Sequence, residues 1–321
     1  MRKLGNYINM RIEKIVFVTV SDDRSGRKGG KYSETQDKVL SLFKNNPSFG
    51  ITDFHFWKWE DIKNSEFYSG NKKMLDHIDP AMNGRCYKPF AISEAMKSVG
   101  DGDFVIYNDI SPEWWGEWDP EQRIHPKHYR LDVIKNLCVQ NGGILTSDVT
   151  WYSNGTIADH THENFTLERC IDKMGMQDYK YSLQHASGMI VLQKSKKSMD
   201  FIDEWLYWNL IDECASLGSV ENDPVSPEEG ISEYWHEEVA KHGKIGHRHD
   251  QSISGLLINK MGNKLVNNFR NYNFLSFCKV DFPYTFTESN IQKSEYVYRN
   301  IFDGEKWEYL KFEREKYEQS N

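Results

Sequence analysis

Asp101-Gly102-Asp103-Phe104-Val105-Ile106-Tyr107-Asn108-Asp109-Ile110-Ser111 is the stretch on which the fold turns. Four apolar residues, Phe104 to Tyr107, follow a glycine turn and end on Asn108-Asp109. A short, wholly apolar run bounded by turn residues reads as a strand buried on both faces. It presents a carboxylate at its carboxyl end, where ligands bind in open α/β sheets. Asn108-Asp109 also suits a plain turn before Pro112. The preceding segment predicts a helix. Pro89 suits a first helical turn, and Ile92, Ala95, Met96 and Val99 form one apolar stripe closed by Gly100 and Gly102.

Upstream, Ile15–Val20 is a second buried strand, ending in the polar turn Ser21-Asp22-Asp23. Ser33 and Gln36 fit a capping box for a helix through Val39, Leu40, Leu42 and Phe43. Residues 51–57 read as the next strand, Ile144-Leu145-Thr146 as another, and Met189–Leu192 as a further one. Helices are expected over Leu167–Met174, stopped by Gly175, through Phe201, Ile202, Trp205 and Trp208, and through Ile253, Leu256, Leu257 and Met261, closed by Gly262. This alternation predicts an α/β domain with a mostly parallel sheet flanked by helices.

The chain has 321 residues, 40 basic and 48 acidic, for a net charge of −8. Aromatics at 14% argue against disorder, and the acidity argues against a nucleic-acid partner. No apolar run reaches membrane-spanning length, so no integral membrane segment is expected. Met1-Arg2-Lys3 is not followed by an apolar h-region, so no secretion signal is expected. Five scattered cysteines without a CxxC pair read as reduced thiols, which fits a cytoplasmic location.

Several clusters can carry chemistry. Gly246-His247-Arg248-His249-Asp250-Gln251-Ser252 suits phosphate or metal contacts, although Asp250 is also a good N-cap for the helix that follows. Tyr87-Lys88-Pro89 sets a lysine at a helix start. Gln184-His185-Ala186-Ser187-Gly188 allows close approach before a strand. Asp159-His160-Thr161-His162-Glu163 holds a His-x-His pair able to ligate zinc. Trp114, Trp115 and Trp118, just past Asp109, suit sugar stacking or ordinary core. The sequons at Asn154 and Asn164 would be idle in a cytoplasmic chain.

Taken in order, these features resemble nucleotide-sugar-dependent glycosyltransferases of the GT-A type, found among capsule, lipopolysaccharide and viral glycan-building proteins. The resemblance rests on Phe17–Asp22, Tyr87-Lys88-Pro89-Phe90, Asp101–Asp109, Ala186–Leu192 with Trp205, and His247–Ser252, and covers roughly residues 14–262. It implies a GT-A-like (Rossmann-like) domain over 1–270, with a nucleotide half to about 111, an acceptor half over about 112–270, and a C-terminal extension over 271–321. It implies a UDP- or GDP-type sugar donor, a glycan acceptor and a role in polysaccharide biosynthesis, in the cytoplasm or, for a viral protein, that of the host. Val20, Ser21 and Asp22 would line base and ribose. Lys88 would lie near the diphosphate, and Asn108, His185, Arg248 and Gln251 would join the donor site. Asp109 would hold a divalent cation, Mn or Mg, with His247 as a second ligand, and Asp250 with His249 would be catalytic. Ile110 and Ser111 stand where a full Asp-x-Asp motif has its second carboxylate. Lys88, Arg248 and helix amides could therefore replace the metal. Alternatives are a zinc hydrolase using His160, His162, His247 and His249, or a catalytically idle sugar-binding protein of GT-A shape.

Overall fold

The computed structural model describes residues 13–23, 32–78, 87–110, 131–148, 161–215, 247 and 249–263. Five strands form one sheet: β1 (Ile15–Ser21), β2 (Asp53–Lys58), β3 (Phe104–Asn108), β4 (Ile144–Asp148) and β5 (His185–Gln193). Their order is β2-β1-β3-β5-β4. β1 pairs in parallel with both β2 and β3, while β5 runs antiparallel between β3 and β4. The α/β class holds, but the sheet is mixed where a mostly parallel one was expected. Four strands point one way and β5 opposes them. An apolar run such as Met189–Leu192 is buried in either orientation, so hydrophobicity does not encode its direction.

The principal helices are α1 (Tyr32–Asn45), α2 (Trp59–Lys63), α3 (Glu66–Gly70), α4 (Lys72–Ile78), α5 (Tyr87–Lys97), α6 (Leu131–Gln140), α7 (His162–Phe165), α8 (Glu168–Met174), α9 (Lys196–Asn209), α10 (Asp212–Ala215) and α11 (Asp250–Lys260). None of the described helices is long and apolar enough to cross a membrane. The strand alternation sorts the core into two layers. Val16, Val18, Val105, Ile190 and Leu192 meet α5, α9 and α11 on one face. Ile15, Phe17, Phe104, Ile106 and Val191 meet α1 and α6 on the other. Phe17 is central in the second layer, edge-on to Phe43 at 4.9 Å and near Phe56 at 5.8 Å.

Two local expectations change. Helix α5 was expected to bury one stripe. Instead Lys88–Ser93, Ala95 and Met96 are all buried, because α5 lies between the sheet and α9. The Ser33–Gln36 capping box is not formed as expected. Asp23 takes the capping role, accepting from the Ser33 backbone N–H and hydroxyl. Gln36 turns inward, donating to the Trp57 carbonyl at 3.1 Å and accepting from Ser21 Oγ at 3.1 Å. Tertiary contacts here outbid the local pattern. At the other helix ends the sequence signals hold: Gly175 sits at φ 63° after α8, and Gly262 at φ 68° after α11.

The Asp101-Gly102-Asp103 turn is a structural staple. Asp103 accepts from the Gly100 and Lys14 amides at 2.8 and 3.0 Å, and its carbonyl accepts from Lys194 N–H at 2.8 Å. It pins the end of α5, the start of β1 and the end of β5 beside the start of β3.

Phe17→Ala should destabilise the fold by about 3–5 kcal/mol in urea unfolding, as a large core ring deleted from a packed site does. The exposed Tyr207→Ser should stay within about 0.5 kcal/mol.

Candidate functional site

The carboxyl ends of β1 and β3 lie side by side, since Val18 pairs with Tyr107. Asp109 follows β3 directly. Its backbone N–H donates to the Gly188 carbonyl at 2.8 Å, which fixes it against β5. Tyr107 and Asp109 sit two residues apart on one face of an extended chain, and Tyr107 Oη donates to Asp109 Oδ1 at 2.7 Å. Burial, and next the charge of Asp109, push the Tyr107 phenol well above its ordinary pKa, so it remains the donor.

Behind this pair lies Lys88, 1% exposed, from the first turn of α5. Its ammonium donates to Asp250 Oδ2 at 2.7 Å, Asp109 Oδ2 at 3.3 Å and Ser187 Oγ at 3.2 Å. It stands 5.5 Å from the Tyr107 ring centroid. Ser187 Oγ in turn donates to Asp250 Oδ2 at 2.7 Å. Residues far apart in sequence, from α5, β3, β5 and α11, therefore share one buried hydrogen-bonded charge. Burying a lone ammonium would be prohibitive, and two carboxylates and a hydroxyl make it tolerable.

Asp250 does not cap α11. It is the first helical residue, 1% exposed, with His249 in the cap position. Its carboxylate turns to Lys88 and Ser187, and Trp205 Nε1 donates to its carbonyl at 2.9 Å. This removes the N-cap reading. It also sets Asp250 beneath the surface, where it holds Lys88. Asp109, 33% exposed in its side chain, is the outward-facing carboxylate of the cluster.

The remaining expected site residues divide. Val20 packs in the core, Ser21 is tied to Gln36, and Asp22 is buried at the end of β1. Asn108 is fully buried. Its Nδ2 donates to the Asp109 carbonyl at 3.0 Å, while its Oδ1 has no partner among the described residues. Gln251 donates to Gln184 Oε1 at 3.0 Å, inside a buried network with Ser252 and the Phe165 carbonyl. His185 is fully buried, with both ring nitrogens engaged. Its Nε2 meets Asn259 Oδ1 at 3.2 Å and its Nδ1 meets Thr146 Oγ1 at 2.8 Å. His247 Nε2 donates to the Cys214 carbonyl at 2.8 Å, and Nδ1 accepts from Leu167 N–H at 3.2 Å. In this arrangement neither nitrogen offers a lone pair to an ion. Arg248, His160, the three tryptophans Trp114, Trp115 and Trp118, and the extension 271–321 lie outside the described residues.

His249 is the one non-glycine among the described residues with positive φ, at φ 47° and ψ −117°. Strain of this kind costs about 1–3 kcal/mol and is typically held at functional sites. Its ring stands edge-on to His247 with centroids 5.2 Å apart.

Sequence reading missed Ser187 as a direct partner, because its orientation depends on a register slip. Ile190 faces Thr146, yet His185 faces Asp148, so β5 spends five residues where β4 spends two. Such bulges re-aim side chains beside sites. Strict alternation would have sent Ser187 to the α1 and α6 face with Met189 and Val191.

Among the described residues no three His, Cys, Asp or Glu side chains converge as a metal cage. His162, central to a zinc reading, is buried against Thr166 and Asn259. Asp109 fits a looser role. A hard divalent ion carried by phosphates commonly takes one or two protein carboxylates and completes its shell with phosphate oxygens and water.

No protein-family model, curated protein or solved structure matches the chain.

Lys88→Met should destabilise the protein by about 3–5 kcal/mol, because it strands buried carboxylate. Lys196→Met, which removes an ion pair whose lysine is 87% exposed, should stay within about 0.5 kcal/mol in the same urea titration. Burial, opposed by the Asn259 hydrogen bond, lowers the His185 pKa to about 4. The unfolded imidazole binds its proton near pH 6.5. Between these values the unfolded chain holds more protons, so stability should fall as pH drops from about 6.5 towards 4, by up to ~1.4 kcal/mol per unit. His185→Gln should flatten that contribution in unfolding curves taken across the window.

Proposed function

We propose that the protein is a glycosyltransferase that moves a sugar from a nucleoside-diphosphate donor to a saccharide acceptor. The observation that carries this reading is the convergence of Lys88, Asp109 and Asp250. These three residues come from three separated motifs of the resemblance, and they meet at the carboxyl ends of parallel strands, where α/β sheets bind ligands.

The reaction needs a negatively charged diphosphate to be held and stabilised as it leaves, and an oxocarbenium-like centre to meet the acceptor hydroxyl. Asp109 is the group of the cluster that faces outward. Asp109 would hold a divalent ion brought by the diphosphate, and that ion would supply charge neutralisation to the leaving group. Tyr107 and Lys88 fix both Asp109 oxygens, so the carboxylate is oriented before the donor arrives. Asp250 and Ser187 act through Lys88, by holding its ammonium in place. They are positioning residues in this scheme. The end of β1, from Val20 to Asp22, follows the part of the strand that pairs with β3 and is the proposed wall for the nucleoside.

Calorimetry with a panel of UDP- and GDP-sugars, with and without Mn²⁺, tests the reading. Binding of one donor, followed by its transfer or slow hydrolysis, is expected, and silence across the panel would remove it. Asp109→Asn should lower transfer at least ~100-fold in a protein that still folds, because Asp250 at 2.7 Å still pairs with Lys88. Full activity in that variant would remove Asp109 from the site.

A further inference from the structure

Towards the carboxyl end of the sheet lie two buried polar atoms that have no hydrogen-bond partner among the described residues, Thr19 Oγ1 on β1 and Asn108 Oδ1 on β3. Both residues are 0% exposed. They face the same core layer. Thr19 lies beside Phe56 of β2 and Asn108 beside Met189 of β5, and Phe56 and Met189 both pack in the layer that meets α1 and α6. The two also neighbour each other. Val18 pairs in parallel with Tyr107, so one step further along both strands sets Thr19 beside Asn108. Across the sheet the rung reads Phe56, Thr19, Asn108, Met189, two polar groups between two apolar ones.

A hydroxyl and an amide oxygen left unpaired in an interior are costly, and native structures pair such groups with protein or with ordered water. Here the two do not bond each other. Neighbouring strands lie about 4.8 Å apart, a separation that one bridging oxygen spans. The chemistry of the pair selects the guest. Asn108 Oδ1 only accepts, while Thr19 Oγ1 donates or accepts, and a water molecule satisfies both. A cation would instead bring an unmatched charge among Phe17, Ile106 and Met189. Complete burial of both residues excludes a larger ligand drawn from outside.

We propose that Thr19 and Asn108 hold one internal water molecule between β1 and β3, and that this water braces the peptide from which Asp109 emerges. The water donates one hydrogen to Asn108 Oδ1 and exchanges its second hydrogen bond with Thr19 Oγ1, which meets the two polar partners a buried water needs. Fixed at its oxygen, the Asn108 amide keeps its Nδ2–H on the Asp109 carbonyl at 3.0 Å. The Asp109 N–H is already held by the Gly188 carbonyl at 2.8 Å. The backbone of the outward-facing carboxylate is thus secured at its donor and at its acceptor. The water site belongs to the fold, and it stands whether or not the protein transfers a sugar.

Water-selective NOE spectra of the wild-type protein read the site directly. A long-lived water in contact with the Thr19 methyl and the Asn108 side-chain amide is expected, with the sign of contact rather than of proton exchange. No such water at the Asn108 amide overturns the proposal, and this arm needs no variant to fold. Thr19→Val keeps the shape of the side chain and removes its hydroxyl. An unpaired hydroxyl would leave the protein more stable when removed, whereas loss of a water-bonded one strands Asn108 Oδ1. The melting temperature of Thr19→Val should therefore fall by about 2–4 °C, and the water contact at Asn108 should vanish. A melting temperature equal to or above wild type overturns the proposal. Hydrogen exchange tests the brace: the Asp109 amide should exchange about tenfold faster in Thr19→Val, and an unchanged rate there overturns the bracing role.

Discussion

One buried ammonium organises this protein. Lys88 reaches Asp250 at 2.7 Å and Asp109 at 3.3 Å, and so joins the first turn of α5 to the end of β3, the bulged start of β5 and the first turn of α11. The apolar layers would hold these elements together without it, but they set no particular rotation of α11 about its axis. A charge that must be matched on all sides does. Gln184, Gln251 and Ser252 extend the same constraint along α11 through a satisfied polar network, and Asn259 repeats it further on with Ser182 and Leu183. Buried polar groups of this kind contribute little net stability and a good deal of specificity, provided that every member is paired.

Gly255 shows how closely α11 is fitted. A Cβ there would lie 2.8 Å from His162 Cε1 and 3.2 Å from the His185 backbone nitrogen. The helix therefore approaches α7 and β5 more closely than any side chain would allow. This proximity lets Asp250 reach across to Lys88, and it connects the packing of the interior to the geometry of the site.

Much of the fold was legible in the chain, for identifiable reasons. Ile15–Val20 and Phe104–Tyr107 are strands whatever their neighbours do, because runs so apolar are stable only when covered on both faces. Asp109 was legible for the same reason, since a polar residue at the end of such a run has to emerge at the sheet's edge. Asp250 was legible as important but not in its role. As an N-cap it would have served its own helix, and only the position of Lys88, 162 residues earlier (250 − 88), turns it inward. Ser187 was hidden by the slip in β5, which breaks the two-residue period that sequence reading relies on. The resemblance implied ligand contacts for His247 and Gln251. Here the partners that absorb them, Leu167, Cys214 and Gln184, lie in distant segments.

The antiparallel course of β5 has a consequence for how the molecule comes to be. β5 pairs Phe104 with Gln193 and Ile144 with Leu192, so its long loop must close before any of these contacts forms. Closures of this kind are slow, since chain entropy is lost before pairing repays it. β5 also brings Ser187 and the Gly188 carbonyl that anchors Asp109. Assembly of the candidate site thus depends on the pairing of β5, and a chain with β5 unpaired would lack the geometry with which to act on a ligand.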